Sequence, residues 1–181
     1  VETFIEDQER VAELRRRYAA GDNIGDGHIK VEVAQAINAL LEPMRELGIR
    51  PEHECFDAGH IANLDPLLDM GLLAEPLQIS CVMGVTGGIR PNARNLAHMS
   101  EQIPGGPDGP NNWGVIGISR DQWRLVAAAL TLGGNIRVGL EDNFYLPNGD
   151  MARSNGDLVA KAAQLAQDTG RRVATVAEAR C

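Results

Sequence analysis

Thiols are scarce in this chain. Its 181 residues contain three cysteines, Cys55, Cys81 and Cys181, far apart and without a CxxC pair. An odd, dispersed set argues against a disulfide scaffold, offers no thiolate zinc site, and suits a reducing cytoplasm, which is the expected location. Basic charge is also in deficit: 17 Lys and Arg against 25 Asp and Glu give a formal net charge of −8. That balance argues against nonspecific binding to nucleic acid or to a membrane surface, because both need a basic footprint. Long apolar runs are missing too. The longest, residues 125–132, is too short to cross a bilayer, and no charged segment followed by an apolar one opens the chain. There is no Walker motif, no GxGxxG turn and no GxSxG elbow, so nucleotide hydrolysis, a Rossmann cofactor site and serine hydrolase chemistry lose support.

What is present is enough for one domain over residues 1–181, with a hydrophobic fraction of 44% that sustains a sizeable core. The chain begins at Val1 rather than methionine and stops at Cys181 just after a helix-like segment, so it reads as a fragment of something larger. A charged helix is expected over residues 5–20, followed by a glycine-rich break at 21–27. A second helix over 29–47 carries apolar residues at helical spacing and meets Gly48 as its C-cap. Strands expected at 53–56, 77–85, 113–118 and 136–140 then alternate with helices at 63–70, 92–101, 121–132 and 155–169. This βαβα order predicts a parallel α/β sheet with right-handed crossovers. An open doubly wound sheet and a (β/α)₈ barrel both fit the order. The barrel is favoured because polar groups gather where the strands end, although only about four of eight strands are evident.

The segment Asn135-Ile-Arg-Val-Gly-Leu-Glu-Asp-Asn143 concentrates the chemistry. Ile136, Val138 and Leu140 alternate with Arg137, Gly139 and Glu141, giving an apolar face and a face with a cation and an anion. On an extended strand Glu141 turns toward the barrel axis, Asp142 stays at the rim, and Arg137 lies ~13 Å from Glu141. A structural Arg–Glu pair and a metal ligand are equally compatible with this spacing, and a metal on Glu141 relieves the repulsion between adjacent carboxylates. Upstream, Glu52, Glu54 and Phe56 share one strand face and His53 and Cys55 the other. If the helix-facing side is the less charged one, the glutamates point inward, and Glu54, nearer the catalytic end, meets a cationic or hydroxylated substrate group. His60 reads best as a histidine of the loop or helix start. Two glycine-rich turns carry cations near helix starts, where anions bind: Gly84-Val-Thr-Gly-Gly-Ile-Arg90 with Pro91 at the first helical position, and Gly117-Ile-Ser-Arg120.

Taken in order, Pro51-Glu-His-Glu-Cys-Phe-Asp-Ala-Gly-His60, Met83-Gly-Val-Thr-Gly-Gly88, Trp113-Gly-Val-Ile-Gly-Ile-Ser-Arg120 and Arg137-Val-Gly-Leu-Glu-Asp-Asn143 resemble the β-keto acid cleavage enzymes, a family of zinc-dependent (β/α)₈ barrels. Ser154-Asn155 and Val173-Ala-Thr-Val-Ala-Glu-Ala-Arg180 continue the likeness, which runs from about residue 29 to the end. The resemblance implies that Glu141 is a Zn²⁺ ligand, that Arg137 and Asp142 are the catalytic pair, and that Glu54 lines the substrate pocket. It implies a β-keto acid and acetyl-CoA exchanging parts to give acetoacetate and a new acyl-CoA, with Gly117, Ser119 and Arg120 against the coenzyme, and a homo-oligomer. The family's other zinc ligands form a His-x-His pair on the second strand. None occurs among His28, His53, His60 and His98. The expectation is therefore the C-terminal half of such a barrel. A metal-dependent aldolase or lyase on the same barrel, and a catalytically incomplete half-barrel subunit, are the competing readings.

Overall fold

The structure is a computed structural model and describes residues 27–179. The helix expected at 5–20 and nearly all of the break at 21–27 lie outside them. The described residues form two compact units, 27–51 with 63–75, and 52–62 with 76–179. In the first unit, helix α1 runs Gly27–Glu46. It stops where the sequence predicts, because Gly48 takes φ +66 and the Ile49 N–H reaches back to the Met44 carbonyl at 2.8 Å. Helix α3, Leu64–Asp69, belongs to the same unit.

The second unit is built on a four-stranded parallel sheet in the order β1 (Glu52–Cys55), β2 (Gln78–Met83), β3 (Asn112–Gly117), β4 (Asn135–Arg137). Helices α2 (Ala58–Ala62), α4 (Ala93–Glu101), α5 (Gln122–Thr131) and α6 (Asn155–Asp168) accompany it, and a short α7 spans Val176–Ala179. Sequential order in a parallel sheet has a consequence: right-handed crossovers leave the β2–β3 and β3–β4 connections on the same face. An open doubly wound sheet reverses its order and covers both faces. Here Ile136 and Val138 pack with Val126, Leu130, Leu165 and Ala166, which puts α5 and α6 on the apolar side.

The register then fixes the two faces. Cys55, Cys81, Val115 and Ile136 form one row on the helix side. Glu54, Ser80, Gly114 and Asn135 form the next row on the opposite face, and Val82, Ile116 and Arg137 the row above it. The glutamates of β1 thus point away from the helices, as a less charged helix face requires. Strands β1 and β4 are the outer strands of the described sheet.

One sequence expectation narrows and another changes. Of the two settings expected for His60, loop or helix start, the segment after β1 takes the helical one at Ala58–Ala62, with the Gly59 N–H on Asp57 Oδ1 and the Phe56 N–H on the His60 ring nitrogen Nδ1. Asn92 caps α4 by accepting from the Asn95 N–H at 3.0 Å, which leaves Pro91 outside the helix instead of at its first position.

Candidate active site

Strand β4 ends at Arg137, three residues short of expectation, and that early end makes the site. Both the Asp142 and Asn143 N–H groups donate to the Gly139 carbonyl, at 3.1 and 3.0 Å, so residues 139–143 curl instead of extending. The curl is tied down at two further points. The Leu140 N–H donates to Asn155 Oδ1 at 2.8 Å, and the Ser119 N–H donates to the Asp142 carbonyl at 2.7 Å. Alternation along an extended strand is therefore overturned. Glu141 faces solvent with its side chain 84% exposed, while Asp142 is the enclosed carboxylate at 4%. The ~13 Å separation expected of a strand becomes a direct contact, Arg137 Nη2 to Glu141 Oε2 at 2.8 Å.

Arg137 is the centre of the group. Its Nε and Nη2 donate to the two oxygens of Asp142 at 3.2 Å each, a bidentate pairing that fixes the guanidinium plane. Its Nη1 stands 3.7 Å from Glu54 Oε1, too far for a hydrogen bond, and makes none among the described residues. Burial pulls the guanidinium down, but the charge and hydrogen bonds of Asp142, with Glu141 and Glu54, outweigh it and raise it above its ordinary value. Arg137 is thus a fixed cation with one nitrogen still to bind. On the same face Ser80 Oγ donates to Glu52.

The second turn runs against the first. Ser119 holds a left-handed backbone, φ +61, uncommon for a residue with a side chain and found where the surroundings enforce it. Gly117 is obligatory: a Cβ there would lie 2.6 Å from the Gln122 Cα, so α5 can start this close to β3 only over a glycine. Gln122 is fully buried. Its amide donates to the Gly117 carbonyl at 3.1 Å and accepts from Asn143 at 3.4 Å, and Asn143 in turn donates to the Tyr145 carbonyl at 2.6 Å. Sequence reasoning missed this polar bridge between the two turns. The signal was there: Gln122 occupies the core-facing stripe continued by Leu125, Val126 and Ala129, where an amide is out of place.

The expected site residues thus fall into two groups. Glu54, Arg137, Glu141 and Asp142 converge, while Gly117, Ser119 and Arg120 form the neighbouring turn. His53 is not among them: it lies on the helix face, its buried Nε2 lacks a hydrogen-bond partner among the described residues, and burial lowers its pKa. Among the described residues no group of three or more His, Cys, Asp or Glu side chains can hold a metal ion. Catalytic zinc needs about three protein ligands. The described residues by themselves do not make a zinc site.

The profile of the beta-keto acid cleavage enzyme family matches residues 10–181. The 3-keto-5-aminohexanoate cleavage enzyme of Fusobacterium nucleatum is 38% identical over 87% of this chain and 56% of its own length. The enzyme of the same name from Acetoanaerobium sticklandii is 37% identical over the same shares. The 3-dehydrocarnitine:acetyl-CoA trimethylamine transferase of Rhizobium meliloti is 32% identical over 83% of this chain and 48% of its own. The chain spans about half the length of the curated relatives it matches. With the profile covering nearly every residue, the Arg137–Asn143 turn included, the chain belongs to the beta-keto acid cleavage enzyme family.

Proposed function

We propose that the protein cleaves a β-keto acid with acetyl-CoA, giving acetoacetate and a new acyl-CoA, on one (β/α)₈ barrel domain of which these residues form roughly the C-terminal half. The observation that carries the reading is Arg137, held rigidly by a buried carboxylate with Nη1 uncommitted. A β-keto acid brings a carboxylate and a keto oxygen that gains negative charge as a nucleophile adds to its carbon, and returns it as the carbon–carbon bond breaks. A preorganised guanidinium stabilises both. Asp142 and Arg137 are the catalytic pair: the carboxylate sets the plane and Nη1 meets the substrate. Glu54, half-exposed beside it, lines the pocket and selects a cationic or hydroxylated acyl group.

Glu141 contributes one carboxylate to a zinc ion whose other protein ligands lie outside the described residues. The turn of Gly117, Ser119 and Arg120 contacts the anionic coenzyme. The sequential winding and the half-length match to the relatives support the half-barrel, whose outer strands β1 and β4 would pair with the rest of the domain, and the family likeness favours a homo-oligomer. A soluble cytoplasmic enzyme fits the charge and the dispersed cysteines.

The test is zinc analysis of the intact protein together with a cleavage assay. Turnover that requires acetyl-CoA, in a protein that retains zinc, is the expected result. Cleavage proceeding without acetyl-CoA, or a fully active protein free of zinc, overturns the reading.

A further inference from the structure

Beside the Arg137 cluster lies a groove of about 670 Å³, bounded by the turn at Ser119, the N-terminal half of α5, the loop after Asn143, and α6. This volume is within the range of sites that enclose a small organic ligand. Its walls combine two chemistries. Arg120 and Arg124 line one side and Lys161 the other, three cations around one groove on a chain of net charge −8. Arg124 is 3.9 Å from Asp121, while Arg120 and Lys161 have no carboxylate partner among the described residues. Trp123 and Tyr145 line the same groove, and the Trp123 ring is held by its indole N–H on the Tyr145 carbonyl at 2.7 Å.

Cations alone would suit any phosphate. Cations beside a fixed indole suit a phosphorylated nucleotide, whose base stacks while its phosphates pair. The groove also touches the catalytic turn directly, because Ser119, on its wall, donates its N–H to the Asp142 carbonyl.

We infer that this groove binds the phosphorylated adenosine end of coenzyme A, with Arg120, Arg124 and Lys161 on the phosphates and Trp123 against the base. The inference rests on the acetyl-CoA reading above and extends it to residues on α5 and α6. It predicts that the protein distinguishes acetyl-CoA from acetyl-pantetheine, which carries the same thioester without the nucleotide.

The test compares kcat/KM for these two thioesters in the intact protein and in Lys161→Gln, Arg124→Glu and Arg120→Gln/Lys161→Gln. Each cation removed should lower the preference for acetyl-CoA roughly three- to tenfold, the range of a partly exposed charge-assisted contact. Lys161→Arg should restore most of it. Arg124 is on the surface, so its variant reports even if the double variant folds poorly. A preference unaltered in all three variants, or a parent protein with none, overturns the groove assignment while leaving acetyl-CoA as co-substrate. If the parent shows no acetyl-CoA-dependent turnover, the functional reading fails instead. Calorimetry with coenzyme A then decides the groove: binding weakened by Arg124→Glu supports it, and equal or absent binding removes it.

Discussion

Arg137 faces two tasks that ordinarily conflict. In the proposed reaction it must be rigid enough to orient a substrate and yet keep binding capacity, and both are served by Nε and Nη2 held on Asp142 and Glu141 while Nη1, 3.7 Å from Glu54, makes no hydrogen bond among the described residues. Asp142→Asn keeps the shape but replaces one acceptor with a donor facing the guanidinium. Turnover should fall by at least about a hundredfold, with zinc content unchanged; near-normal kcat removes Asp142 from the mechanism. The exposed Arg137–Glu141 pair contributes about 0–1 kcal/mol as a surface ion pair, so structure alone gives little reason for Glu141. Glu141→Gln should therefore leave the melting temperature of the metal-free protein nearly unmoved and lower zinc occupancy sharply. Unchanged metal content refutes its ligand role. For Glu54→Ala the expected change is in the profile of β-keto acids accepted, and an unaltered profile counts against its place in the pocket.

At the scale of elements, α6 does more than cover the sheet. Ser154 accepts from the Asp157 N–H and Asp157 accepts from the Arg153 N–H, so the helix start is locked, and its first residue, Asn155, accepts the Leu140 N–H. Asn155→Ala gives up that exposed bond and should cost about 0.5–1.5 kcal/mol in denaturant unfolding. Because the same bond holds the turn that carries the proposed catalytic pair, kcat should drop beyond what lost stability explains, and a kcat equal to the parent's would uncouple helix from turn. The element order, the cap at Gly48 and the inward glutamates were all legible, since each follows from one residue's chemistry or from a period of two or 3.6. The end of β4 was not. Ile136, Val138 and Leu140 keep a strand's alternation through a segment whose backbone leaves the sheet after Arg137, because the Gly139 carbonyl captures two N–H groups that no pattern of side chains reveals. Glu141 and Asp142 exchange the environments that strand alternation expects of them for that reason. Helix Ala58–Ala62 was hidden similarly, being five residues held by local bonds.

For the molecule as a whole, Cys55 and Cys81 are adjacent across β1 and β2, both buried, and burial pushes their thiols up to about 11 and about 12. The neutral thiols are favoured in the folded state, so their contribution to stability is intact below the ordinary value of 9.0. It is lost as pH rises from there toward 12, because the unfolded chain releases protons that the folded one retains. Denaturation midpoints should fall across that window, and Cys55→Ser/Cys81→Ser should flatten the decline; an equal slope in both proteins would rule these thiols out. The outer strands β1 and β4 carry a different consequence. Each presents a row of backbone donors and acceptors along one edge of the described sheet, which in the barrel proposed above is taken up by the remaining strands of the same domain. Added as a separate chain, those strands should raise the melting temperature of residues 1–181 by mass action, and a melting temperature that does not move with their concentration counts against the half-barrel.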